Sequence, residues 1–259
     1  MTARLTGTGV RIDDILGDGG RLPRDAAKNT AGIAALALLT TLGERRGVAL
    51  TISKGLPLSS GLGGSAASAA AAVVAVDAIL GFPRVDRDAD HLRARGERLG
   101  AGSAHADNIA PSLCGGWCSS DVRARQTSCA CRSRRASRAV VVHPHLEIET
   151  AQARALIGDT VRLADAVRQW ANLGALVDGL HRGDFSLISR SLEDFIAEPR
   201  RASLVPGLAA IKRAALDAGA LGCSLSGSGP AIFALCANPE AARRVASRHD
   251  GCRAGRDRR

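Results

Sequence analysis

The most informative segment of the sequence is Lys54-Gly-Leu-Pro-Leu-Ser-Ser-Gly-Leu-Gly-Gly-Ser-Ala-Ala-Ser68. It joins an apolar, strand-like run at 48–53 to an alanine-rich, helix-like run at 65–80. Its glycines allow positive φ angles and a close approach of the backbone to a ligand. A helix that begins near Ser65 offers unpaired N–H groups and the positive end of its dipole, which favour an anion. A tight turn before a core helix is the simpler alternative, but the length of the pattern favours a phosphate-binding loop.

This loop differs from two common nucleotide-binding motifs. No Gly-Lys-Ser/Thr follows its glycines, and no Gly-x-Gly-x-x-Gly with a downstream ribose-binding acid is present. It resembles instead the Pro-x-x-x-Gly-Leu-Gly-Ser-Ser-Ala-Ala motif of the GHMP kinases, with Gly64 in place of the first serine. The resemblance implies that ATP contacts Pro57, Leu58, Ser59, Ser60, Gly61, Leu62, Gly63, Gly64, Ser65, Ala66 and Ala67.

Length and composition fit a globular protein with a sizeable core. A chain of 259 residues suits one two-layer domain or two smaller ones, and 46% of its residues are hydrophobic. No secretory signal and no apolar run of membrane length is apparent, so we expect a cytoplasmic protein without membrane association. The seven cysteines are an odd number without a secretory signal, so neither a disulfide framework nor a zinc site is expected.

The net charge of +10 is concentrated in two segments. Residues 122–138 contain six arginines and no acid, and residues 242–259 contain seven arginines and two aspartates. The rest of the chain is close to neutral, so the charge does not indicate a nucleic-acid-binding face. Nucleic acid is therefore not an expected partner.

Periodicity predicts alternating strands and helices along most of the chain. Residues 118–138 show neither a strand nor a helix period. The predicted strands are 4–8, 10–12, 48–53, 139–143, 221–225 and 230–236, and the predicted helices are 31–42, 65–80, 86–100, 150–157, 164–180, 184–197, 206–218 and one from Pro239 onwards.

Several further stretches resemble the homoserine kinases among the GHMP kinases, over most of 5–117 and 139–240. They include Gly102-Ser-Ala-His-Ala-Asp-Asn-Ile-Ala-Pro, Val142-His-Pro-His, Glu198-Pro-x-Arg201 and Gly219-Ala-Leu-Gly-Cys-Ser-x-Ser-Gly-Ser-Gly-Pro230. The resemblance implies an α+β, two-lobed GHMP kinase fold. An ATP-binding N-terminal lobe would span 1–132 and a ferredoxin-like C-terminal lobe 133–259.

The resemblance also implies the reactants and the roles of individual residues. The substrates would be L-homoserine and ATP, the latter bound with Mg²⁺. The product would be O-phospho-L-homoserine. Whether the protein forms a homodimer is left open. Mg²⁺ would be held by Ser65 and Glu97, the substrate carboxylate by Arg154 and Arg201, and the rest of the homoserine by Thr150. The catalytic residues would be Asn108, His105 and Asp107, with Asn108 near the attacking hydroxyl and no assigned general base. Without the family, a surface charge is the favoured interpretation of Glu97 and an equally good one for both arginines. For 105–108 a helix cap is the alternative, but a site wall that faces the phosphate-binding loop is favoured.

The chain departs from the family at three places. The family has a strand and an Asn-Leu-Gly-x-Gly-Phe-Asp-type loop before the equivalent of residue 5, and these are absent here. The family also has a strand pattern within 118–138 and a closing strand after the equivalent of residue 248, and this sequence shows neither pattern. We therefore expect an N-terminally incomplete chain. Three hypotheses follow in order of preference: a homoserine kinase, another small-molecule GHMP kinase, or an inactive remnant whose basic segments bind polyanions.

Overall fold

The computed structural model describes residues 1–81, 106–121, 126–131 and 137–254, which belong to two compact units. The first unit comprises Met1–Leu58 and Gly63–Ala130, and the second comprises Ser59–Leu62 and Cys131–Arg259. Four residues of the phosphate-binding loop thus belong to the second unit. The domain boundaries 1–132 and 133–259 stay a prediction.

A three-stranded sheet forms the centre of the first unit. Its strands are β1 (Thr2–Thr6), β2 (Val10–Leu16) and β3 (Gly47–Ser53), in the order β1-β3-β2. The central strand β3 runs antiparallel to β1 and parallel to β2. The parallel pair is connected through helix α1 (Thr30–Leu42), as parallel strands require a crossover.

Two alanine-rich helices cover this sheet. Helix α1 packs against α2 (Gly64–Ile79), and small side chains let the two helices approach closely. The closely packed core of the unit includes Ala31, Ala35, Leu38, Val48, Leu50, Ile52, Ala69, Ala70, Val73 and Val76. Helix α1 begins at a capped position, because Asn29 Oδ1 accepts a hydrogen bond from the Ala31 N–H at 3.0 Å.

The remaining described part of the first unit corrects one expectation. Helix α3 (Ala106–Cys114) is followed by strands β4 (Trp117–Asp121) and β5 (Gln126–Cys131), which pair with each other. The prediction that 118–138 lacks strands is therefore wrong for these residues. Strand pairing uses backbone N–H and C=O groups, so it does not require alternating side chains. The predicted helix 86–100 lies outside the described residues.

The second unit packs helices on an antiparallel sheet. Its strands β6 (Arg138–Val142), β7 (Gly222–Leu225) and β8 (Ile232–Cys236) have the order β6-β8-β7. Its helices are α4 (Thr150–Ala155), α5 (Leu163–Arg182), α6 (Phe185–Ser191), α7 (Ala197–Arg201), α8 (Leu208–Asp217) and α9 (Pro239–Ala254). Its core includes Ile148, Val205, Leu208, Ala215, Cys223, Leu225, Ile232, Ala234, Cys236 and Val245.

The predicted helix 184–197 is wrong, because two helices occupy this region. Helix α6 ends at Ser191, and α7 begins at Ala197. Asp194 separates them: its carboxylate accepts hydrogen bonds from the N–H groups of Ile196, Ala197 and Glu198 at 2.8–3.0 Å. An aspartate that satisfies the donors of a following turn starts a new helix. In the described part of the chain, no helix is long and apolar enough to cross a membrane.

Candidate phosphate-binding loop and carboxylate site

The phosphate-binding loop turns sharply after β3. The backbone has positive φ angles at Ser59 (51°), Gly61 (78°) and Gly63 (72°). At Gly61 no other residue fits, because a Cβ there would lie 2.2 Å from the carbonyl oxygen of Ser226. The Ser226 hydroxyl also donates to the Gly61 carbonyl at 3.1 Å. These contacts lie within the second unit and join the loop to the other glycine-rich segment, 226–229.

The first turn of α2 presents backbone donors. Gly63 is the N-cap residue and provides no side-chain cap. The N–H groups of the next three residues have no partner within the helix, as at any helix N-terminus. Ser65 lies in this turn and is exposed. The turn therefore combines N–H groups without a partner in the helix, the positive end of the dipole and one hydroxyl, a combination that favours phosphate binding.

Lys54 places a cation beside the first turn of α2, and the sequence alone predicted no role for it. Its Nζ donates to the Gly64 carbonyl at 2.9 Å and to the Ser68 hydroxyl at 2.8 Å. Burial lowers the pKa of Lys54, whereas the nearby Asp18 carboxylate raises it. The available signal was a lysine three residues before Pro57, but its orientation toward α2 depends on the fold.

Asp18 is held in a fixed position beside this lysine. It lies in the turn after β2 and is buried. Its carboxylate accepts hydrogen bonds from the N–H groups of Gly20 and Leu22, both at 3.0 Å, and these bonds lower its pKa. Asp18 is therefore ionised at neutral pH and helps to keep Lys54 protonated.

A small, mostly apolar cleft opens next to Lys54 in the first unit. Its polar side chains include Lys54 and Ser68, and its walls come from the end of β3 and the first two turns of α2. The lining residues are Met1, Ile52, Ser53, Lys54, Gly55, Leu56, Gly64, Ala67, Ser68 and Ala71.

Of the predicted catalytic residues, Asn108 lies near the phosphate-binding loop. It is an exposed residue of α3, and its Oδ1 is 3.7 Å from the position that a Cβ on Gly63 would occupy. The structure thus brings Asn108 to the N-cap of α2. Asp107 belongs to α3, but its side chain lies outside the described part of the structure. His105 and Glu97 lie entirely outside the described residues. The roles of these three residues stay predictions.

In the second unit, the predicted substrate-binding residues lie on α4 and α7. Thr150 and Arg154 are exposed and four residues apart on α4, hence on the same face. Arg201 is buried and ends α7. Its Nε donates to the Ala153 carbonyl and its Nη1 to the Gly227 carbonyl, both at 2.9 Å. Arg201 therefore connects α4 to the glycine-rich segment 226–229.

Of the two predicted carboxylate-binding arginines, Arg201 has a shifted pKa. Burial is the main factor that lowers the pKa of Arg201, Asp194 opposes it, and the positive charge of Arg154 lowers it further. The described hydrogen bonds of Arg201 occupy two of the five guanidinium donors. A carboxylate bound to both arginines would use remaining donors and relieve their repulsion.

Glu198 is a second residue whose role the sequence analysis missed, although the Glu-Pro-x-Arg stretch contains it. It is buried on α7 and forms an ion pair with Lys212. Its Oε2 also accepts hydrogen bonds from the Ser224 hydroxyl at 2.5 Å and from the Leu225 N–H at 3.2 Å. These contacts attach α7, and with it Arg201, to the end of β7.

Replacing Gly64 by the serine of the family motif is expected to stabilise the protein. A Cβ at Gly64 would lie 3.7 Å from Lys54 Nζ and 3.8 Å from Leu56 Cβ, which are ordinary contacts. Because the substitution restricts the unfolded chain, the free energy of unfolding should rise by about 0.5 kcal/mol. Urea denaturation of Gly64→Ser checks this. Gly61→Ala is the matched control and should be destabilised; a loss of stability in Gly64→Ser would contradict the prediction.

Two family models match the chain, over separate ranges. The model of the GHMP kinases N terminal domain matches residues 29–116, and that of the GHMP kinases C terminal region matches residues 176–251. Together they contain the phosphate-binding loop, Asn108, Arg201 and the segment 226–229. The expected α+β GHMP kinase fold is thereby confirmed.

Similar proteins are homoserine kinases. The homoserine kinase of Chlorobium phaeovibrioides is 45% identical over 243 residues, which cover 92% of this chain and 76% of the relative. That of Chlorobaculum tepidum is 42% identical and covers 92% and 75%. The crystal structure of homoserine kinase from Cytophaga hutchinsonii has a TM-score of 0.85 and 45% identity, and covers 95% of this chain and 78% of that one. The chain therefore belongs to the homoserine kinase family of the GHMP kinases.

Proposed function

We propose that this small-molecule kinase transfers the γ-phosphoryl group of ATP to the side-chain hydroxyl of L-homoserine. The products are O-phospho-L-homoserine and ADP, and the hydroxyl proton is released. The observation that carries the proposal is a chain of contacts within the second unit. Arg201 binds the Gly227 carbonyl, and the adjacent Ser226 binds Gly61 of the phosphate-binding loop. These contacts support the proposal, because they connect Arg201, the proposed carboxylate-binding residue, to a loop suited to phosphate.

ATP binding is assigned to the loop 57–67 and the first turn of α2. The N–H groups after Gly63 bind phosphate oxygens, and Lys54 supplies a positive charge beside them. Mg²⁺ would be held by Ser65 and Glu97; the exposed Ser65 hydroxyl fits an ion that takes most of its ligands from phosphate and water. When bound, the ion neutralises charge on the phosphates.

Homoserine binding is assigned to Arg154, Arg201 and Thr150. Two guanidinium groups on neighbouring helices hold the carboxylate in a fixed orientation. Thr150, on the same face of α4 as Arg154, contacts the remainder of the amino acid. This arrangement selects an alcohol that carries a carboxylate, such as a hydroxy amino acid.

The chemical step depends on positioning more than on covalent participation of the protein. Phosphoryl transfer needs the attacking and leaving oxygens in line and stabilisation of charge on the transferred group. Asn108, near the N-cap of α2, orients the attacking hydroxyl. His105 and Asp107 remain candidates for receiving its proton, and no general base is assigned. The cellular role that we propose is threonine biosynthesis in the cytoplasm.

An assay of ADP release with Mg-ATP tests the proposal. Turnover is measured with L-homoserine, L-serine and mevalonate as separate acceptors and with none. Turnover that depends on homoserine and exceeds that with the other acceptors supports the proposed function. Preference for another alcohol, or no turnover in protein shown to be folded by circular dichroism, would overturn it.

Replacing Lys54 by methionine is expected to raise KM for ATP roughly tenfold, because a charge-assisted interaction beside the phosphates is lost. KM for L-homoserine should change little. Initial rates at varied ATP and saturating homoserine measure the effect. Lys28→Met, which removes a largely exposed lysine 3.8 Å from Asp25, is the control. A change confined to homoserine affinity would contradict the role of Lys54.

A further inference from the structure

Helix α4 carries two of the proposed acceptor-binding residues, Thr150 and Arg154, but it is only six residues long. Its N-cap residue Glu149 makes no side-chain capping bond. Ala153 is fully buried in the core of the second unit, whereas Thr150 and Arg154 are exposed. A helix of this length is not stable by itself, so contacts with other elements determine where it lies.

Two consecutive arginines of α7 bind carbonyl groups at the C-terminal end of α4. Arg201 Nε donates to the Ala153 carbonyl at 2.9 Å. Arg200 Nη1 donates to the Ile157 carbonyl, and its Nη1 and Nη2 both donate to the Thr160 carbonyl at 3.2 Å. Carbonyl groups at this end of a helix lack partners within it and attract cations. The half-buried Arg200 guanidinium therefore holds the chain just after α4.

The hydrogen bonds of Arg200 lead to Arg154 through a single residue. The Ile157 N–H donates to the Arg154 carbonyl at 3.0 Å, and the Ile157 carbonyl accepts from Arg200. Arg201 binds Ala153, so it holds the chain before Arg154, whereas Arg200 holds the chain after it. The last turn of α4, and with it the direction in which the Arg154 side chain leaves the helix, thus depends on both arginines.

We propose that Arg200 is a positioning residue for the phosphoryl acceptor. It fixes the last turn of α4 so that Arg154 meets the substrate carboxylate together with Arg201. Arg200 acts through Arg154 rather than by contact with a substrate, because its described hydrogen bonds go to the turn after α4. This role rests on the proposed function, since only that function assigns Arg154 to homoserine.

The segment 156–162, which Arg200 holds, contributes little to the apolar core. Leu156 is 41% exposed and Val161 is 40% exposed. The residues between Ile157 and Val161 are exposed as well. Because hydrophobic stabilisation follows the apolar area removed from water, release of this segment should cost little stability. It would nevertheless let the end of α4 move, so the effect of Arg200 should be seen in acceptor binding more than in folding.

Steady-state kinetics of two variants test this role. Arg200→Met should raise KM for L-homoserine roughly tenfold, because a charged donor to two carbonyl groups is lost. Its kcat should stay within about twofold of the parent, and KM for ATP should not change. Arg200→Lys keeps the charge without the planar fork, so its KM should lie between those of the parent and Arg200→Met. Arg182→Met is the matched control: it removes an exposed arginine bonded to Asp178 on its own helix and should leave every constant within about twofold.

Hydrogen exchange of the full chain reports on α4 without turnover. The N–H groups of Leu156 and Ile157 donate to carbonyls of α4, so they should exchange at least about fivefold faster in Arg200→Met than in the parent. Exchange in α8 should not change. Circular dichroism checks that each variant is folded, and Arg200→Lys supplies the comparison if Arg200→Met does not fold.

The possible results distinguish this role from the proposed function. A parent chain without homoserine-dependent turnover overturns the proposed function and, with it, the role of Arg200. If the parent has that turnover and Arg200→Met keeps KM for homoserine within about twofold, only the role of Arg200 is overturned. An equal rise in both KM values, or unchanged exchange at Leu156 and Ile157, also overturns it, because Arg200 would then not act on the acceptor through α4.

Discussion

Replacing Arg201 by lysine should lower kcat/KM for L-homoserine by roughly 100-fold, or about 3 kcal/mol, while KM for ATP changes little. Lysine keeps the charge but loses the planar fork that holds a carboxylate with two parallel hydrogen bonds. It also cannot reproduce the fixed bonds from Nε to Ala153 and from Nη1 to Gly227. The carboxylate would then be held less rigidly, and the hydroxyl would be placed less accurately for attack. Steady-state rates at varied homoserine and saturating ATP give the comparison.

The matched control is Arg190→Lys. Arg190 belongs to the same unit but is exposed, and its described side-chain hydrogen bond is to Ser186 on its own helix. Its replacement should leave both KM values within a factor of about two. Thermal unfolding of both variants separates loss of binding from loss of fold. If Arg201→Lys kept kcat/KM for homoserine within threefold of the parent, the proposed carboxylate site would be wrong.

The elements around the phosphate-binding loop were predictable because local chemistry determines their ends. The predicted strand 48–53 and helix 65–80 correspond to β3 at Gly47–Ser53 and α2 at Gly64–Ile79. Glycines with positive φ mark the boundary between them. The prediction of a single helix over 184–197 failed because an aspartate within a helical sequence pattern is equally compatible with a continuous helix and with a break. Only the bonds that Asp194 makes in the folded chain decide where the break occurs.

The candidate site was predictable only in part. The resemblance to a family pointed to Arg201 and Asn108, which the structure places against Gly227 and near Gly63, respectively. Lys54 and Glu198 lie within the quoted stretches but received no role. Their functions depend on contacts with residues distant in sequence, such as Ser68 and Ser224. Periodicity and composition carry no information on such pairings.

Removing the carboxylate of Glu198 should cause the largest loss of stability. Glu198→Ala leaves Lys212 in a largely buried position without its counter-ion, since only 24% of that side chain is exposed. Ser224 and the Leu225 N–H lose their acceptor as well. Breaking a buried ion pair from one side costs about 3–5 kcal/mol. Urea denaturation should show a loss of this size in the free energy of unfolding.

A double-mutant cycle of Glu198→Gln, Lys212→Met and the double variant separates the ion pair from the other contacts of Glu198. Lys212→Met alone leaves a buried carboxylate unpaired, whereas Glu198→Gln/Lys212→Met removes both charges and keeps a side-chain acceptor for Ser224. The double variant should therefore be more stable than Glu198→Ala. Because α7 also bears Arg201, variants that remain folded should show a raised KM for homoserine and an unchanged KM for ATP. Equal stability of Glu198→Ala and the parent chain would contradict the role of Glu198 in attaching α7 to β7.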